Sequence, residues 1–142
     1  MSEPEHPVLI YWDASAVLSV LLKDKHSKEA NQRASRTGFH FLSTLSYAEV
    51  LAVLFRIRRE KMMPEVFLDA AEEFLDTGPW RRLNTAPAWK IMKRLLSRFA
   101  LRGADLWHLA VAKSLQDELP ELRLLTFDVR LKGAAEGENL SL

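Results

Sequence analysis

The stretch LIYWDASAVL, residues 9–18, places one carboxylate between two apolar segments. VLIYW at 8–12 is short, apolar and rich in residues that favour strands, so it predicts a buried β-strand. The residues that follow Asp13 have the small and apolar character of a helix. Asp13 therefore stands where a strand ends and a helix begins, and the reason for a charge at that point decides how the rest of the sequence is interpreted.

The chain has 142 residues, which is enough for one domain with its own core. It has no cysteine, and this excludes disulfides, thiolate zinc sites and thiol nucleophiles. No apolar run is long enough to cross a membrane, and the acidic, proline-containing start differs from a signal peptide. We therefore expect a flexible N-terminal tail at 1–7, a single domain at 8–142, a cytoplasmic location and no contact with membranes.

Predicted strands and helices alternate along the rest of the chain. Helical spacing is clearest in SYAEVLAVLFRIRRE, residues 46–60. Further strands are predicted at 39–43, 80–84 and 122–126, with a last edge strand at 139–142. This order predicts an α/β fold with a central parallel sheet covered by helices on both faces. In such sheets the ligand crevice lies beyond the carboxyl ends of the strands, where the strand order reverses.

Four acids lie at junctions between the predicted elements, and each has a structural explanation. Asp13 and Asp128 could cap the helices that follow them. Glu49 completes the pattern Ser46-x-x-Glu49, which matches a capping box. Asp105 begins a helix, where a negative charge suits the helix dipole. Taken singly, these explanations are as good as a functional one or better.

Topology weakens the four separate explanations when the acids are considered together. Parallel strands end at one edge of the sheet, and the helices that follow them begin there, so all four acids should face one crevice. Carboxylates that are close together raise one another's pKa, and a bound divalent cation removes that conflict. Ligation by oxygen alone favours Mg²⁺, or Mn²⁺, over zinc. The sequence therefore predicts a metal site made of Asp13, Glu49, Asp105 and Asp128.

Four segments of the sequence together resemble the PIN domain family, and within it the VapC-type toxins of toxin–antitoxin pairs. These segments are YWDASAVLSVLL, LSYAEVLAVL, ADLWHLAVA and LLTFDVRL. The order Asp, Glu, Asp, Asp and the spacing fit, and the resemblance extends over nearly the whole chain from residue 8. It implies a PIN-like three-layer sandwich with about five strands, metal-dependent ribonuclease activity, a homodimer and inhibition by a cognate antitoxin.

On that resemblance, the four acids carry over as catalytic and metal-binding residues. Ser15 and Thr126 match positions near the site that tend to be small and polar. His108 stands one turn after Asp105, where a further acid is more usual, and this leaves open whether one metal or two are bound. His108 could contact the substrate or donate a proton, and its other explanation is a structural histidine between Trp107 and Leu109.

RNA that reaches an acidic pocket needs positive side chains around it. Lys90, Arg94, Arg98 and Arg102 recur every four residues and could bind the RNA backbone, although a solvated helix face explains them equally well. The apolar helices at 44–76 are candidates for a groove that receives an amphipathic helix of the antitoxin. The residues proposed for that groove are Leu51, Leu54, Phe55, Phe67 and Phe74, and core packing is their other explanation.

The function favoured by the sequence is a Mg²⁺-dependent endoribonuclease, the toxin of a toxin–antitoxin pair. The alternative is a PIN-like module that binds RNA or protein without cutting. A phosphatase with an aspartyl nucleophile at Asp13 is less well supported, because such enzymes usually have a second acid two residues later and this chain has Ser15 there.

Overall fold

The structure, a computed structural model, describes residues 6–142. The predicted tail falls mostly on residues 1–5, which lie outside the described residues. The elements, in chain order, are β1 (Val8–Trp12), α1 (Ala14–Leu21), α2 (Ser27–Ala34), β2 (Gly38–Ser43), α3 (Thr44–Arg59), α4 (Glu65–Thr77), β3 (Trp80–Leu83), α5 (Trp89–Arg98), α6 (Gly103–Glu118), β4 (Arg123–Leu125) and α7 (Val129–Gly137).

The sheet has the strand order β3-β2-β1-β4, and every strand pair is parallel. The chain runs outward from β1 through β2 to β3 and then crosses back to place β4 on the other side of β1. The order therefore reverses between β1 and β4, where Trp12 is aligned with Leu125. The predicted α/β class with a central parallel sheet is confirmed, and for such a sheet a ligand crevice is expected beyond Trp12 and Leu125.

The last predicted strand, at 139–142, is reduced to one bridge between Leu124 and Ser141. Asn139 has a φ of 58°, so the chain turns sharply after α7 and few residues remain to pair with β4. The amide of Leu124 still donates to the carbonyl of Leu140 at 2.7 Å. Within residues 6–142 the sheet consequently has four strands and this bridge, where about five strands were expected.

Two apolar clusters cover the two faces of the sheet. Ile10 and Trp12 of β1 pack with buried residues of α1 to α4, such as Val17, Leu54 and Leu68. Tyr11, which points to the opposite face, packs with buried residues of α5, α6 and α7, such as Leu95, Leu109 and Leu131. Because β1 is buried on both faces, its sequence is apolar without alternation. Within the described part of the chain, no helix combines the length and apolarity that spanning a membrane requires.

Candidate active site

Asp13 ends β1 and is buried, with 4% of its surface exposed. Its Oδ1 caps α1 by accepting a hydrogen bond from the amide of Ala16 at 2.9 Å, and it also accepts one from Ser15 Oγ at 2.7 Å. Its Oδ2 accepts a hydrogen bond from Thr126 Oγ1 at 2.5 Å. Asp13 therefore caps a helix, which was its structural explanation. It is also hydrogen-bonded to Thr126, which directly follows β4.

The pKa of Asp13 is raised because burial disfavours its charged form, although the hydrogen bonds from Thr126, Ala16 and Ser15 and the nearby His108 partly offset this effect. The hydrogen bonds fix the orientation of the carboxylate without supplying a full opposite charge. A cation at this position would favour the ionised form of Asp13.

Glu49 lies in α3, but it does not form the predicted capping box. The helix begins three residues earlier than that pattern implies, because β2 runs directly into α3 and Ser43 is the N-cap. Ser43 Oγ accepts a hydrogen bond from the amide of Ser46 at 3.1 Å. Glu49 instead accepts a hydrogen bond at Oε1 from His108 Nε2 at 2.6 Å. The capping explanation of Glu49 is therefore wrong, and a contact over 59 positions of sequence replaces it.

His108 is buried, with 1% of its surface exposed, and it connects β1 to Glu49. Its Nδ1 lies 2.7 Å from the hydroxyl of Tyr11, which in turn donates to Ser43 Oγ at 2.9 Å. Both ring nitrogens are therefore engaged, and the ring cannot rotate without losing two hydrogen bonds. The structural explanation of His108 and a role near the site are thus compatible, because this buried histidine holds one of the four acids.

Asp105 lies in the first turn of α6, and Asp128 caps α7, where its Oδ1 accepts a hydrogen bond from the amide of Leu131 at 2.9 Å. Both acids line one groove, together with Arg102, Phe127 and Arg130. The pKa of Asp105 is raised, first by burial and then by the negative charge of Asp128. The charge of Glu49 raises this pKa further, so three of the four acids interact electrostatically.

The fourth acid is linked to this group through Tyr11. Burial is the main cause that raises the pKa of the Tyr11 hydroxyl, and the negative charges of both Asp13 and Glu49 raise it as well. The predicted acids therefore lie around one end of the sheet. Among residues 6–142, however, no three side chains of Asp, Glu or His come close enough together to hold a metal ion in this arrangement.

The donor chemistry nevertheless fits a hard divalent cation. The polar atoms at the strand ends are carboxylate and hydroxyl oxygens, which Mg²⁺ and Mn²⁺ prefer. The carboxylates of Asp13 and Asp105 both have a raised pKa with burial as the first cause, and a cation would stabilise their charged forms. The residues that would hold it are Asp13, Asp105 and Asp128, with Glu49 approaching from α3.

The four basic residues predicted to bind RNA occupy different environments. Arg94 and Arg98 both form ion pairs with the carboxylate of Glu138, whose side chain is buried with 2% exposed. Arg102 lies in the groove beside Asp105, and Lys90 is exposed near the start of α5. Glu138 was missed by the sequence-based predictions, since no local pattern distinguishes it from an ordinary exposed glutamate after a helix.

The apolar residues proposed for an antitoxin groove also divide into two groups. Leu54 is fully buried in the core and Leu51 is half-buried. The side chains of Phe55, Phe67 and Phe74 remain exposed by 39%, 60% and 40% of their surface. Met62 and Val66, between α3 and α4 and at the start of α4, are exposed as well. We call the five exposed residues the α3–α4 apolar face.

Comparison with protein families agrees with this fold. The family model of the PIN domain matches residues 10–137, which is most of the chain. The chain therefore belongs to the PIN domain family, and PIN domains are generally a metal-dependent nuclease fold. No curated protein matches the sequence significantly.

Proposed function

We propose that this PIN domain is a divalent-metal-dependent endoribonuclease. The observation that carries the proposal is the position of Asp13 and Asp128 at the carboxyl ends of two adjacent strands, where the strand order reverses. Asp105 lies in the first turn of α6 and Glu49 lies in α3, and the charges of Asp128 and Glu49 both raise the pKa of Asp105. A group of acids at this point suits a metal-assisted hydrolysis of phosphodiester bonds.

The residues of the chain would divide the work as follows. Asp13 is fixed by hydrogen bonds from Ala16, Ser15 and Thr126. It provides a rigid carboxylate at the carboxyl end of β1, a central strand of the sheet. Asp105 and Asp128 face the groove through which a substrate can enter. His108 keeps Glu49 at the rim of the site. A divalent cation held by these acids would supply a Lewis acid for the scissile phosphate and the attacking water.

The decisive test compares RNA cleavage by the wild-type protein and by Asp13→Asn. Asparagine caps helices as well as aspartate does, so the variant should fold, and circular dichroism checks this. We expect cleavage by the wild-type protein with Mg²⁺ or Mn²⁺, loss of cleavage with EDTA, and no cleavage by Asp13→Asn. Asp117→Asn is a matched control, because Asp117 is exposed at the far end of α6. Cleavage that persists in EDTA or in Asp13→Asn would refute the proposal.

Within the PIN family, we propose that this chain is the toxin of a VapC-type pair. The α3–α4 apolar face supports this role, because an amphipathic helix of a cognate antitoxin would cover exposed aromatic side chains there. Expression should arrest growth, and co-expression of an antitoxin encoded beside this gene should restore it. Asp13→Asn should be harmless alone, and Phe67→Glu should weaken rescue without weakening cleavage. Growth unaffected by the active protein would contradict the toxin role.

A homodimer remains part of this proposal, and light scattering would measure it directly against the monomer mass of 16.3 kDa.

The alternative function, a PIN-like module that binds without cutting, is distinguished by the same cleavage assay. It requires RNA or a protein partner to bind equally well with and without metal, and RNA to remain intact in both conditions.

A further inference from the structure

Two of the four acids line a groove that also contains two arginines. Its lining residues include Asp105 and Asp128 together with Arg102, at the end of the turn before α6, and Arg130, in the first turn of α7. A second groove continues from it along the turn between α5 and α6. The two grooves share Arg102 and Arg130, so these two residues stand between the acids and the continuation of the channel.

Arg102 and Arg130 differ from the other arginines of this region. Both are exposed, and within residues 6–142 neither side chain forms a hydrogen bond or an ion pair. Arg94 and Arg98 are held instead by the buried carboxylate of Glu138. Arg102 lines the same groove as Asp105 and Asp128 without forming an ion pair with either. The guanidinium donors of Arg102 and Arg130 are thus available to bind an anion.

The backbone that carries Arg130 is held in place. The amide of Phe127 donates to Ser15 Oγ at 3.0 Å, and the amide of Asp128 donates to Thr126 Oγ1 at 3.1 Å. The ring of Phe127 stacks on His26, with ring centroids 4.4 Å apart and an angle of 2° between the planes. Because the turn from β4 into α7 is fixed on both sides, the position of Arg130 relative to Asp128 is set by the fold.

From this geometry we propose that Arg102 and Arg130 bind backbone phosphates of the RNA strand next to the bond that is cut, and so direct the strand along the turn between α5 and α6. The proposal rests on the proposed ribonuclease function. It differs from the sequence-based prediction, in which Arg94 and Arg98 bind the RNA backbone. Arg130, which is not part of the series of basic residues that recur every four positions, is assigned to the RNA backbone instead. Phosphate contacts of this kind position a strand without reading its sequence.

The test measures binding of a fluorescently labelled, short single-stranded RNA by anisotropy over a range of salt concentrations. EDTA is present so that the strand stays intact, and a second series uses Asp13→Asn. Each phosphate contact with a single strand contributes about 0.7 to the slope of log affinity against log salt. Arg102→Gln and Arg130→Gln should each lower the magnitude of this slope by about 0.7. The loss of affinity relative to the wild-type protein should then be roughly fivefold larger at 0.1 M than at 1 M salt.

Arg59→Gln is the matched control, because it removes an exposed arginine at the far end of α3. Its slope should equal that of the wild-type protein. If Arg102→Gln and Arg130→Gln bind RNA like the control, or if no RNA binds in either series, the inference is overturned. If RNA binds through both arginines but is never cleaved with metal present, the inference about phosphate binding is supported and the proposed catalytic function is refuted.

Discussion

At the scale of single residues, His108 shows how a buried side chain can serve a site that it does not line. Its ring spans the hydroxyl of Tyr11 in β1 and the carboxylate of Glu49 in α3, over 2.7 and 2.6 Å. Mutation of the partners that orient the ligands of a metal typically lowers metal affinity by about 10- to 100-fold. We therefore expect His108 to act as a positioning residue, whose removal lowers the affinity of the site for metal.

We expect His108→Phe to lower the affinity for Mn²⁺ by about 10- to 100-fold, because Glu49 loses the donor that orients it. The aromatic ring keeps much of the packing, and Tyr11 retains its hydrogen bond to Ser43. Calorimetric titration with Mn²⁺ measures the affinity. Tyr11→Phe, which leaves the contact between His108 and Glu49 intact, should lose less. Equal Mn²⁺ affinity for folded His108→Phe and wild type would show that Glu49 does not depend on His108.

At the scale of elements, the start of β2 depends on a glycine. Gly38 has a φ of 145°, and a Cβ at this position would lie 2.1 Å from the carbonyl oxygen of Val8. An L-residue would therefore force β2 away from β1 at their first paired position, where Val8 is aligned with Gly38. The parallel pairing of the two central strands tolerates only glycine there.

Gly38→Ala should lower the free energy of unfolding by about 3 kcal/mol or more, because it combines backbone strain with a steric clash. Urea denaturation followed by circular dichroism measures the change. Gly133→Ala is the matched control, since Gly133 lies within α7 and an added Cβ there meets no atom within 4 Å. The control should gain roughly 0.5–1 kcal/mol from helix propensity. Similar stability of both variants would contradict the strain at Gly38.

Glu138 fastens α5 to the end of α7. Its buried carboxylate receives Arg94 and Arg98, and Lys113 of α6 lies 3.9 Å away. Glu138→Gln keeps the shape but removes the charge, so we expect a loss of about 1–3 kcal/mol in the free energy of unfolding. The same denaturation experiment measures it. Glu136 is exposed, so Glu136→Gln should change the free energy of unfolding by less than about 0.5 kcal/mol. An equal effect of Glu138→Gln and Glu136→Gln would show that the ion pairs of Glu138 do not stabilise the fold.

At the scale of the whole molecule, the candidate site joins distant parts of the chain. Asp13, Glu49, Asp105 and Asp128 come from four separate segments, so a cation that they share would stabilise the native state over the unfolded one. Mn²⁺ should therefore raise the midpoint of thermal unfolding. Asp13→Asn should reduce this rise, and an unchanged midpoint at millimolar Mn²⁺ would argue against a metal site at these acids.

The pH dependence of this effect follows from the raised pKa of Asp13 and Asp105. A carboxyl whose folded-state pKa is raised contributes stability below its unfolded pKa, and loses it as pH rises through the folded pKa. Without metal, these two groups should therefore favour the folded state on acidification. With Mn²⁺ the trend reverses, because protons compete with the cation. Thermal melts from about pH 5 to pH 8 should show the Mn²⁺ effect shrinking as pH falls.

Much of this architecture could be predicted because it depends on short-range patterns. β1, β2 and the acids at the strand ends follow from apolar runs that stop at polar residues. The partner of Glu49 could not be predicted, because a local pattern cannot tell whether Ser43 or Ser46 begins the helix. The ion pairs of Glu138 are likewise invisible in the sequence, since they depend on how α5 packs against α7. Contacts across the fold, rather than local preference, determine these details.

The central place of β1 also protects the Asp13 side of the site against local opening. The amide of Asp13 donates to the carbonyl of Leu125 at 3.2 Å, directly after a strand that is paired on both sides and covered on both faces. Amides in such a setting exchange with solvent deuterium mainly through openings close to global unfolding. Deuterium exchange should therefore be slowest at Asp13 and at its neighbours in β1, so this edge of the crevice keeps its shape through every opening short of global unfolding.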